Sequence, residues 1–283
     1  MTKVDVILLC YNQSAYIKQA IDSIFAQKVS EQLVVKIIIA DDASTDSTLQ
    51  IIKDNVSRSP FEVVFLKEQQ NLGISKNYQR AFDAADGDYI AVLEGDDYWS
   101  SEKHIQQHID FLEQHKECSM SMNRIAYYDQ QKETLQTYMW EYVDSPHFVD
   151  VEEQISKGNQ LGNLSACVFR TKCVKKLPQD VYNLRIADWM LGVMLAQQGN
   201  IGLFEQSTSV YRMNSNSQWA RKIQSEQIKE MIVLAQEYDK FQNGKYHDYW
   251  LQFIALQKRI EQRKIKRFIP NWLINILRKL RGK

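Results

Sequence analysis

Short apolar runs alternate with amphipathic stretches over the first hundred residues. Four runs have the length of a strand that is buried on both faces, and they cover 4–9, 34–40, 61–66 and 89–93. Between them, apolar residues recur at helical spacing. Strands that alternate with helix-sized crossovers predict a mostly parallel central sheet with helices on both faces. The predicted fold class is therefore α/β.

The pattern changes after residue 100. A helix is predicted over 102–115, and the runs at 120–128 and 165–170 predict strands of a small second sheet. Two further strands are predicted at 201–204 and 208–211. From residue 218 onward long stretches lack Gly and Pro, which predicts a C-terminal helical extension. The chain is thus divided into parts at 1–100, 101–217 and 218–283.

Polar clusters follow three of the four N-terminal strands, at 10–14, 41–46 and 94–97. In open α/β sheets, ligands bind outside the carboxyl ends of the strands, so these clusters are expected to form one site. The acidic pair Asp41 and Asp42 is unsuited to holding phosphate directly and suits a hydrogen-bond donor on a base or ribose. Neither GxGxxG nor GxxxxGK[ST] occurs, which excludes the dinucleotide-binding and P-loop classes.

Three carboxylates, Glu94, Asp96 and Asp97, fall within four residues, with Gly95 between the first two. Crowded carboxylates repel one another unless a cation lies between them, and oxygen ligands favour Mg²⁺ or Mn²⁺. Mg²⁺ commonly completes its shell with substrate phosphates, which indicates a nucleoside diphosphate. A solvated acidic turn is the alternative interpretation of this stretch.

His104 and His108 are spaced i, i+4 on the predicted helix 102–115. This spacing occurs in metal sites, but neither an acidic group nor a third ligand lies nearby in the sequence. The sequence therefore favours a surface or interface pair.

Four stretches in this order, 4–12, 39–46, 71–77 and 94–99, resemble the family 2 glycosyltransferases, which are inverting enzymes with the GT-A fold. The resemblance covers roughly 3–219 and is strongest to bacterial members that build capsule, O-antigen and other surface polysaccharides. It implies a nucleotide-sugar donor, with UDP favoured, and a saccharide or lipid-linked saccharide acceptor. It also implies Mn²⁺ or Mg²⁺ as cofactor.

The resemblance assigns roles to individual residues. Asp188 matches the catalytic base, and Glu94 and Asp96 match the Asp-X-Asp metal motif, with Asn214 where the family often has a metal-binding His. The expected nucleotide-binding residues are Leu9, Cys10, Tyr11, Asn12, Asp41, Asp42, Lys76 and Gly95. The residues expected at the acceptor or donor sugar are Asp97, Trp99, Trp189 and Arg212.

Alternatives remain open at this point. Asp188 opens a predicted helix, where an acid also satisfies the helix dipole. Glu94 in place of Asp, and Asn214 in place of His, are compatible with a non-catalytic nucleotide-sugar-binding relative. A nucleotidyltransferase would need a basic, glycine-rich phosphate loop near the N-terminus, and 10–19 has none.

Charge and cysteine content limit the partners and the cellular compartment that the sequence predicts. Lys+Arg and Asp+Glu both number 35, so net charge gives no reason to expect nucleic-acid binding. Four cysteines without CxxC spacing indicate free thiols in a reducing compartment. The apolar run 4–9 is too short for a signal peptide and contains Asp5, so a cytoplasmic protein is expected.

The C-terminal segment is basic and amphipathic. Ten Lys and Arg residues lie within 258–283 against the single acid Glu261, and apolar residues recur at spacings of three and four. Such a segment is typical of helices that lie in the membrane interface, where basic charge attracts anionic lipid. This predicts a peripheral enzyme on the inner face of the cell membrane. The alternative is a helix that packs on its own domain or on a partner chain in a homo-oligomer.

Overall fold

The computed structural model describes most of the chain in two units. The described ranges are 1–67, 70–137, 145–159, 163–184, 187–213 and 222–268. One unit contains the described residues of 1–154 and 159–213, and the other contains 155–158 and 222–268. The predicted division at residues 100 and 217 stays a prediction.

The N-terminal half is a parallel sheet connected by helices, as the alternating pattern predicts. Its elements are β1 (Thr2–Cys10), α1 (Ile17–Phe25), β2 (Leu33–Asp41), α2 (Thr48–Asn55), β3 (Glu62–Phe65), α3 (Ile74–Ala84) and β4 (Tyr89–Glu94). The strand order is β3-β2-β1-β4, and every pair in it is parallel. β1 and β4 are almost entirely buried, in agreement with their unbroken apolar sequences.

The second half continues the same sheet. The elements that follow are β5 (Tyr98–Trp99), α4 (His104–Gln114), β6 (Cys118–Asp129), β7 (Thr134–Thr137), β8 (His147–Val149), α5 (Val151–Ser156), β9 (Cys167–Arg170), α6 (Thr171–Val174), α7 (Ala187–Ala196), β10 (Asn200–Met213), α8 (Gln224–Phe241) and α9 (His247–Phe268). β9 is antiparallel to β4 on one side and to β6 on the other, and β10 lies beside β6.

Two details differ from the sequence-based expectation. The runs at 120–128 and 165–170 do not form a second sheet of their own, because β9 pairs with both β4 and β6 and so joins them into one ten-stranded sheet. The runs at 201–204 and 208–211 form one strand, β10, whose register against β6 shifts between Phe204 and Ser209. A bulge of this kind keeps a strand continuous across a break in the apolar pattern.

The parallel register brings the polar clusters to one edge. Cys10 at the end of β1 lies opposite Asp41 at the end of β2, and Leu9 lies opposite Glu94 at the end of β4. The loops that leave these three strands therefore begin side by side, as expected for a ligand site at the carboxyl edge of an open sheet.

His104 and His108 lie in the core, so the prediction of a surface or interface pair is wrong. Both are fully buried, and the His104 ring stacks on Trp99 with ring centroids 4.3 Å apart. Their Nδ1 atoms lie 2.8 Å from the hydroxyl oxygens of Thr208 and Ser121, respectively. Hydroxyl partners on β10 and β6 offset part of the cost of burying the two rings.

The C-terminal unit contains the two long helices α8 and α9, which confirms the predicted helical extension as far as residue 268. The rings of Tyr238 and Trp250 pack at 5.8 Å between centroids and join the two helices. None of the described helices is both long and apolar enough to cross a membrane. Most of the basic amphipathic segment, 269–283, lies outside the described residues.

The buried His108 predicts a loss of stability in acid. Burial lowers the pKa of His108 to about 3, below its value of about 6.5 in an unfolded chain. Between these values the unfolded chain binds the extra proton, so this group's contribution is fully present above pH 6.5 and declines as the pH falls. We expect His108→Asn to remove roughly 2 kcal/mol of the loss in unfolding free energy between pH 8 and pH 5.

Urea unfolding of both proteins at the two pH values measures this difference. The buried carboxylates titrate in both chains, so their contribution cancels in the comparison. An identical pH dependence in the wild type and in His108→Asn would contradict the assignment.

Candidate active site

The turn after β4 brings three carboxylates together. Glu94, Asp96 and Asp97 each offer an oxygen, and these oxygens lie within 4.8 Å of one another. The Gly95 N–H donates to the Leu9 carbonyl at 2.8 Å, and the Asp97 N–H donates to the Glu94 carbonyl at 2.9 Å. These two bonds tie the turn to β1 and close it on itself. The sequence-predicted acidic cluster is therefore a compact group in the folded chain.

Gly95 lets this turn lie against the first loop. A Cβ atom at this position would stand 2.4 Å from the Gln13 Oε1, 2.8 Å from the Ile17 Cδ1 and 3.0 Å from the Cys10 Cβ. Any side chain here would push the turn away from α1 and from the end of β1. Gly95 is thus needed for the close approach of two backbone segments, and its expected contact with nucleotide stays a prediction.

Asp97 supports the turn from beneath. It is only 1% exposed. Its Oδ2 accepts from the Asn163 amide at 2.8 Å and from the Ser165 hydroxyl at 2.7 Å, and its Oδ1 accepts from the Arg212 N–H at 2.9 Å. Both oxygens of Asp97 are thus bonded to the chain, and its expected contact with a sugar stays a prediction.

Glu94 is held by a buried tyrosine. The Tyr78 hydroxyl on α3 donates to the Glu94 Oε1 at 2.6 Å, and the Glu94 N–H donates to the Ser165 Oγ at 3.0 Å. Burial, with the neighbouring charge of Asp96 next in importance, raises the pKa of Glu94 to about 7. Tyr78 acts in the opposite direction, because its hydrogen bond favours the carboxylate. Glu94 is longer than the Asp of the family motif, and the hydrogen bond from Tyr78 fixes the position of its carboxylate.

Asp96 is bonded to the first loop and to β10. The Gln13 Nε2 donates to the Asp96 Oδ1 at 2.9 Å, and the Arg212 Nε donates to the Asp96 carbonyl at 2.8 Å. Asp96 and Glu94 are both partly exposed, whereas Asp97 is buried. The two partly exposed carboxylates therefore lie on the open side of the turn.

This donor set fits a hard divalent cation. Glu94 and Asp96 place two like-charged groups together, and the charge of Asp96 adds to the effect of burial in raising the pKa of Glu94. Mg²⁺ and Mn²⁺ take carboxylate oxygens and leave positions for phosphate. Glu94 and Asp96 are the residues that would hold the cation. Asn214, the predicted third ligand, lies outside the described residues.

The loops after β1 and β2 are joined by hydrogen bonds. Asn12, which has a positive φ of 51°, accepts at its Oδ1 from the backbone N–H of Thr45 and of Asp46. The Ser44 hydroxyl accepts from the Asn12 N–H at 2.9 Å and donates to the Asp41 Oδ1 at 2.5 Å. Asn12 and Asp41 thus shape one continuous rim, and their expected nucleotide contacts remain predictions.

Asp42 holds a third loop in place. Its two carboxylate oxygens accept from the backbone N–H of Leu72 and of Gly73, both at 2.9 Å, just before α3 begins. On the same helix, the Lys76 Nζ donates to the Asn183 Oδ1 at 2.7 Å. The nucleotide contacts predicted for Asp42 and Lys76 stay predictions. Asp42 follows the end of β2, and Lys76 lies in the first turn of α3.

The first predicted cluster divides between core and surface. Leu9 and Cys10 are buried, and the Cys10 thiol contacts the Asp41 Oδ1 at 3.6 Å. Tyr11 is 45% exposed. The Leu9 carbonyl accepts from the Gly95 N–H, so Leu9 is tied to the acidic turn through its backbone, while its side chain is buried.

Asp188 lies in the first turn of α7. Its Oδ2 accepts from the Asn159 amide at 3.0 Å. Its charge raises the pKa of both Glu94 and Tyr78, which places it near them. Burial raises its own pKa, while the backbone of Trp189 and the side chain of Asn159 act in the opposite direction. A raised pKa brings a carboxylate closer to the range of a general base at neutral pH.

Three residues predicted to lie at the acceptor or donor sugar are buried. Trp99 is 4% exposed, Trp189 is 2% exposed and Arg212 is 6% exposed. The indole N–H of Trp99 donates to the Ser165 carbonyl at 2.9 Å, and that of Trp189 donates to the Gln154 carbonyl at 3.0 Å. Both rings support the fold around the site, and the predicted sugar contacts of the three residues stay predictions.

Arg212 clamps the acidic turn. Besides its bond to the Asp96 carbonyl, it donates to the side-chain oxygens of Gln19 and Gln130. Three aromatic rings surround its guanidinium group. The guanidinium carbon lies 5.0 Å from the ring centroid of Tyr16 and 5.4 Å from those of Tyr98 and Tyr128. The positive charge beside the turn offsets part of the repulsion among the carboxylates.

Sequence reasoning missed the residues that hold the functional side chains. They are Gln13, Tyr78, Asn159, Asn163 and Ser165. Gln13 lies inside the first polar cluster, so its place in the site was visible in the sequence. The other four carry no local signal, because their partners are 16 to 68 residues away along the chain.

Comparison with solved structures shows the same fold. TarS 1–349 of S. aureus, solved in complex with UDP-GlcNAc, matches with a TM-score of 0.62 and 18% identity, over 84% of this chain and 66% of that one. A mannosyltransferase from Pyrobaculum calidifontis, in complex with GDP-Man and Mn²⁺, matches with a TM-score of 0.60 and 14% identity, over 90% and 68%. Both are glycosyltransferase structures, and the predicted GT-A fold is confirmed.

Sequence comparison gives the family. An uncharacterized protein of Mycobacterium tuberculosis is 30% identical over 217 residues, which are 76% of this chain. The chain spans about three fifths of the length of that curated relative. The model for glycosyl transferase family 2 matches residues 5–175, which is more than half of the chain. The matched range contains the three polar clusters at the sheet edge, whereas Asp188 lies outside it. On this evidence, together with the fold, the chain belongs to glycosyl transferase family 2.

Proposed function

We propose that this protein transfers a sugar from a nucleoside-diphosphate donor to a hydroxyl group of a saccharide or lipid-linked saccharide acceptor in polysaccharide biosynthesis. The observation that carries the proposal is the cluster of Glu94, Asp96 and Asp97, whose oxygens lie within 4.8 Å of one another, with Asp188 close enough to Glu94 to raise its pKa. Family and fold support a transferase in general. The pairing of a cation-binding group with a separate base supports glycosyl transfer in particular.

The donor is a nucleotide sugar with a diphosphate leaving group. The two solved neighbours were crystallised with UDP-GlcNAc and with GDP-Man, so the fold accommodates both bases. We favour UDP because the chain has the acidic pair Asp41 and Asp42, which the resemblance assigns to uracil and ribose. In this proposal, the loop 9–12 lines the base, and Lys76 lies near the base and phosphates.

The metal is Mn²⁺ or Mg²⁺, held by Asp96 and Glu94 with Asn214 as the third protein ligand. When bound, the cation neutralises the charge that develops on the departing diphosphate. Tyr78 and Gln13 orient one oxygen of each carboxylate. Both side chains are partly exposed, so a diphosphate can approach them in this proposal.

Asp188 is the general base. The acceptor hydroxyl oxygen forms a bond to the anomeric carbon while the bond from that carbon to the diphosphate oxygen breaks. The bonding electrons leave with the diphosphate, and the hydroxyl proton passes to Asp188. Because this is one direct displacement, the configuration at the anomeric carbon inverts.

The C-terminal segment suits a membrane-bound acceptor. Within 258–283 the chain carries ten basic residues and one acid, and its apolar residues repeat at helical spacing. This part of the proposal rests on sequence alone, and it places the enzyme peripherally on the cytoplasmic face of the cell membrane.

The first prediction concerns donor cleavage by the full chain. We expect slow release of nucleoside diphosphate from one donor in a panel of UDP-, GDP- and dTDP-sugars without acceptor, supported by Mn²⁺ or Mg²⁺ and abolished by EDTA. Asp188→Asn should lower this rate by about 10²-fold or more, because the amide cannot accept the proton. Binding of the donor to Asp188→Asn, measured by calorimetry, should stay within about threefold of wild type.

Two outcomes would contradict the proposal. Donor binding without any metal-dependent turnover would favour the non-catalytic nucleotide-sugar-binding relative. Full activity of Asp188→Asn would show that another group takes the proton.

A second prediction concerns the residue that holds Asp96. We expect Gln13→Ala to raise the Mn²⁺ concentration for half-maximal activity by roughly tenfold, because residues that orient metal ligands typically affect metal affinity by 10- to 100-fold. Gln32→Ala, at an exposed glutamine that precedes β2 at the opposite end of the strand from Asp41, is the matched control. An unchanged Mn²⁺ requirement in a folded Gln13→Ala protein would show that Gln13 does not orient a metal ligand.

A further inference from the structure

The side chain of Asn159 is hydrogen-bonded to Asp188, the proposed general base. The Asn159 Nδ2 donates to the Asp188 Oδ2 at 3.0 Å, across 29 residues of chain. An amide donor favours the carboxylate over the neutral acid, and this bond lowers the pKa of Asp188 against the larger effect of burial. Asn159 therefore acts on both the orientation and the charge state of this side chain.

The second oxygen of Asp188 has different surroundings. Oδ1 is shielded from solvent, and no hydrogen-bond partner contacts it among the residues that the structure describes. A buried carboxylate oxygen without a partner carries a desolvation cost and is seldom left so unless a ligand or water completes it. The two oxygens of Asp188 thus differ: Oδ2 accepts from the Asn159 amide, whereas Oδ1 has no hydrogen-bond partner among the described residues.

The same stretch of chain also supports the acidic turn. Asn163, four residues after Asn159, donates from its amide to the Asp97 Oδ2 at 2.8 Å. Its own Oδ1 accepts from the Ser165 N–H at 2.7 Å, and Ser165 in turn contacts both Asp97 and Glu94. Two asparagines from one connection between α5 and β9 thus reach the two acidic groups of the site.

We propose that Asn159 is the positioning residue of the catalytic base, and that it holds Asp188 so that Oδ1 receives the proton of the acceptor hydroxyl. This inference rests on the proposed function. By bonding Oδ2, the amide of Asn159 fixes the rotation of the carboxylate and leaves Oδ1 as the oxygen that takes the proton. The same hydrogen bond favours the ionised form of Asp188, which burial opposes.

Other ionisable groups act on Asp188 besides Asn159. The charge of Asp188 raises the pKa of Glu94, Tyr78 and Cys167, so these three groups lie within its electrostatic reach. Asn159 is the side-chain donor that favours the charged form of Asp188. Loss of this donor shifts the balance in one direction only, toward the protonated acid.

The test compares Asn159→Ala and Asn159→Asp with wild type in the full chain, using the nucleotide sugar of the UDP, GDP and dTDP panel that the wild type cleaves. We expect Asn159→Ala to lower kcat by about tenfold with donor KM within about threefold. Activity needs the ionised base, so the pKa of Asp188 contributes to the acidic limb of the kcat–pH profile, together with that of Glu94. Removing a donor that favours the carboxylate should move that limb to higher pH.

Asn159→Asp separates this role from a purely steric one. Asp has almost the shape of Asn but replaces the donor by a second acceptor beside Asp188. We expect its kcat to fall further than that of Asn159→Ala, with a larger shift of the acidic limb to higher pH. A purely steric role predicts that Asn159→Asp resembles wild type. Asn55→Ala, at an asparagine on α2, is the matched control and should leave the limb in place.

The outcomes distinguish this inference from the proposed function. An active wild type whose acidic limb stays in place in both Asn159 variants overturns the role of Asn159 and leaves the glycosyl transfer intact. A wild type that cleaves no donor overturns the proposed function, and the positioning role falls with it. A lower kcat together with the shifted limb supports both.

Discussion

The site depends on keeping several carboxylates close together inside a protein. Glu94, Asp96 and Asp97 place their oxygens within 4.8 Å, in surroundings where like charges repel more strongly than in water. Each carboxylate is held by a donor from a different part of the fold. Gln13 comes from the first loop, Tyr78 from α3, and Asn163 from the connection before β9. The cluster can therefore exist only once the whole sheet has assembled.

This requirement explains why the sheet is built as it is. The parallel strands β1, β2 and β4 bring three loops to one edge, where Gly95 allows the acidic turn to lie against the first loop. β9 and β10 then bring Ser165 and Arg212 beneath that turn. Hydrogen bonds of the acidic turn thus link the parallel strands to the later part of the sheet.

The sequence predicted the parts of the site that have local causes. Buried strands show as apolar runs, and a polar residue where a strand ends marks the ligand edge, so the three clusters could be found. Asp188 was assigned by the family resemblance alone. Burial along 94–99 alternates with a period of two, in which Glu94, Asp96 and Tyr98 are partly exposed while Asp97 and Trp99 are buried. Applied to this stretch, the same alternation would have assigned Asp97 and Trp99 to the interior.

Other features could not be found in this way. The contacts of Tyr78 with Glu94 and of Asn159 with Asp188 join positions that only the tertiary fold brings together, and neither has a sequence signature. The histidine pair is a different case. His104 and His108 share a helix face with Ile105, Ile109 and Leu112, so the helical period indicated burial, whereas the polar character of His suggested the surface.

The central claim is that Glu94 and Asp96 hold a divalent cation against the diphosphate of a bound nucleotide. Crystals of the full chain grown with Mn²⁺ and UDP, measured near the manganese absorption edge, test this most directly. The account predicts one anomalous peak in contact with Asp96 and Glu94 and with the diphosphate oxygens. Nucleotide bound at this sheet edge without a peak beside these carboxylates, or a peak elsewhere, would contradict it.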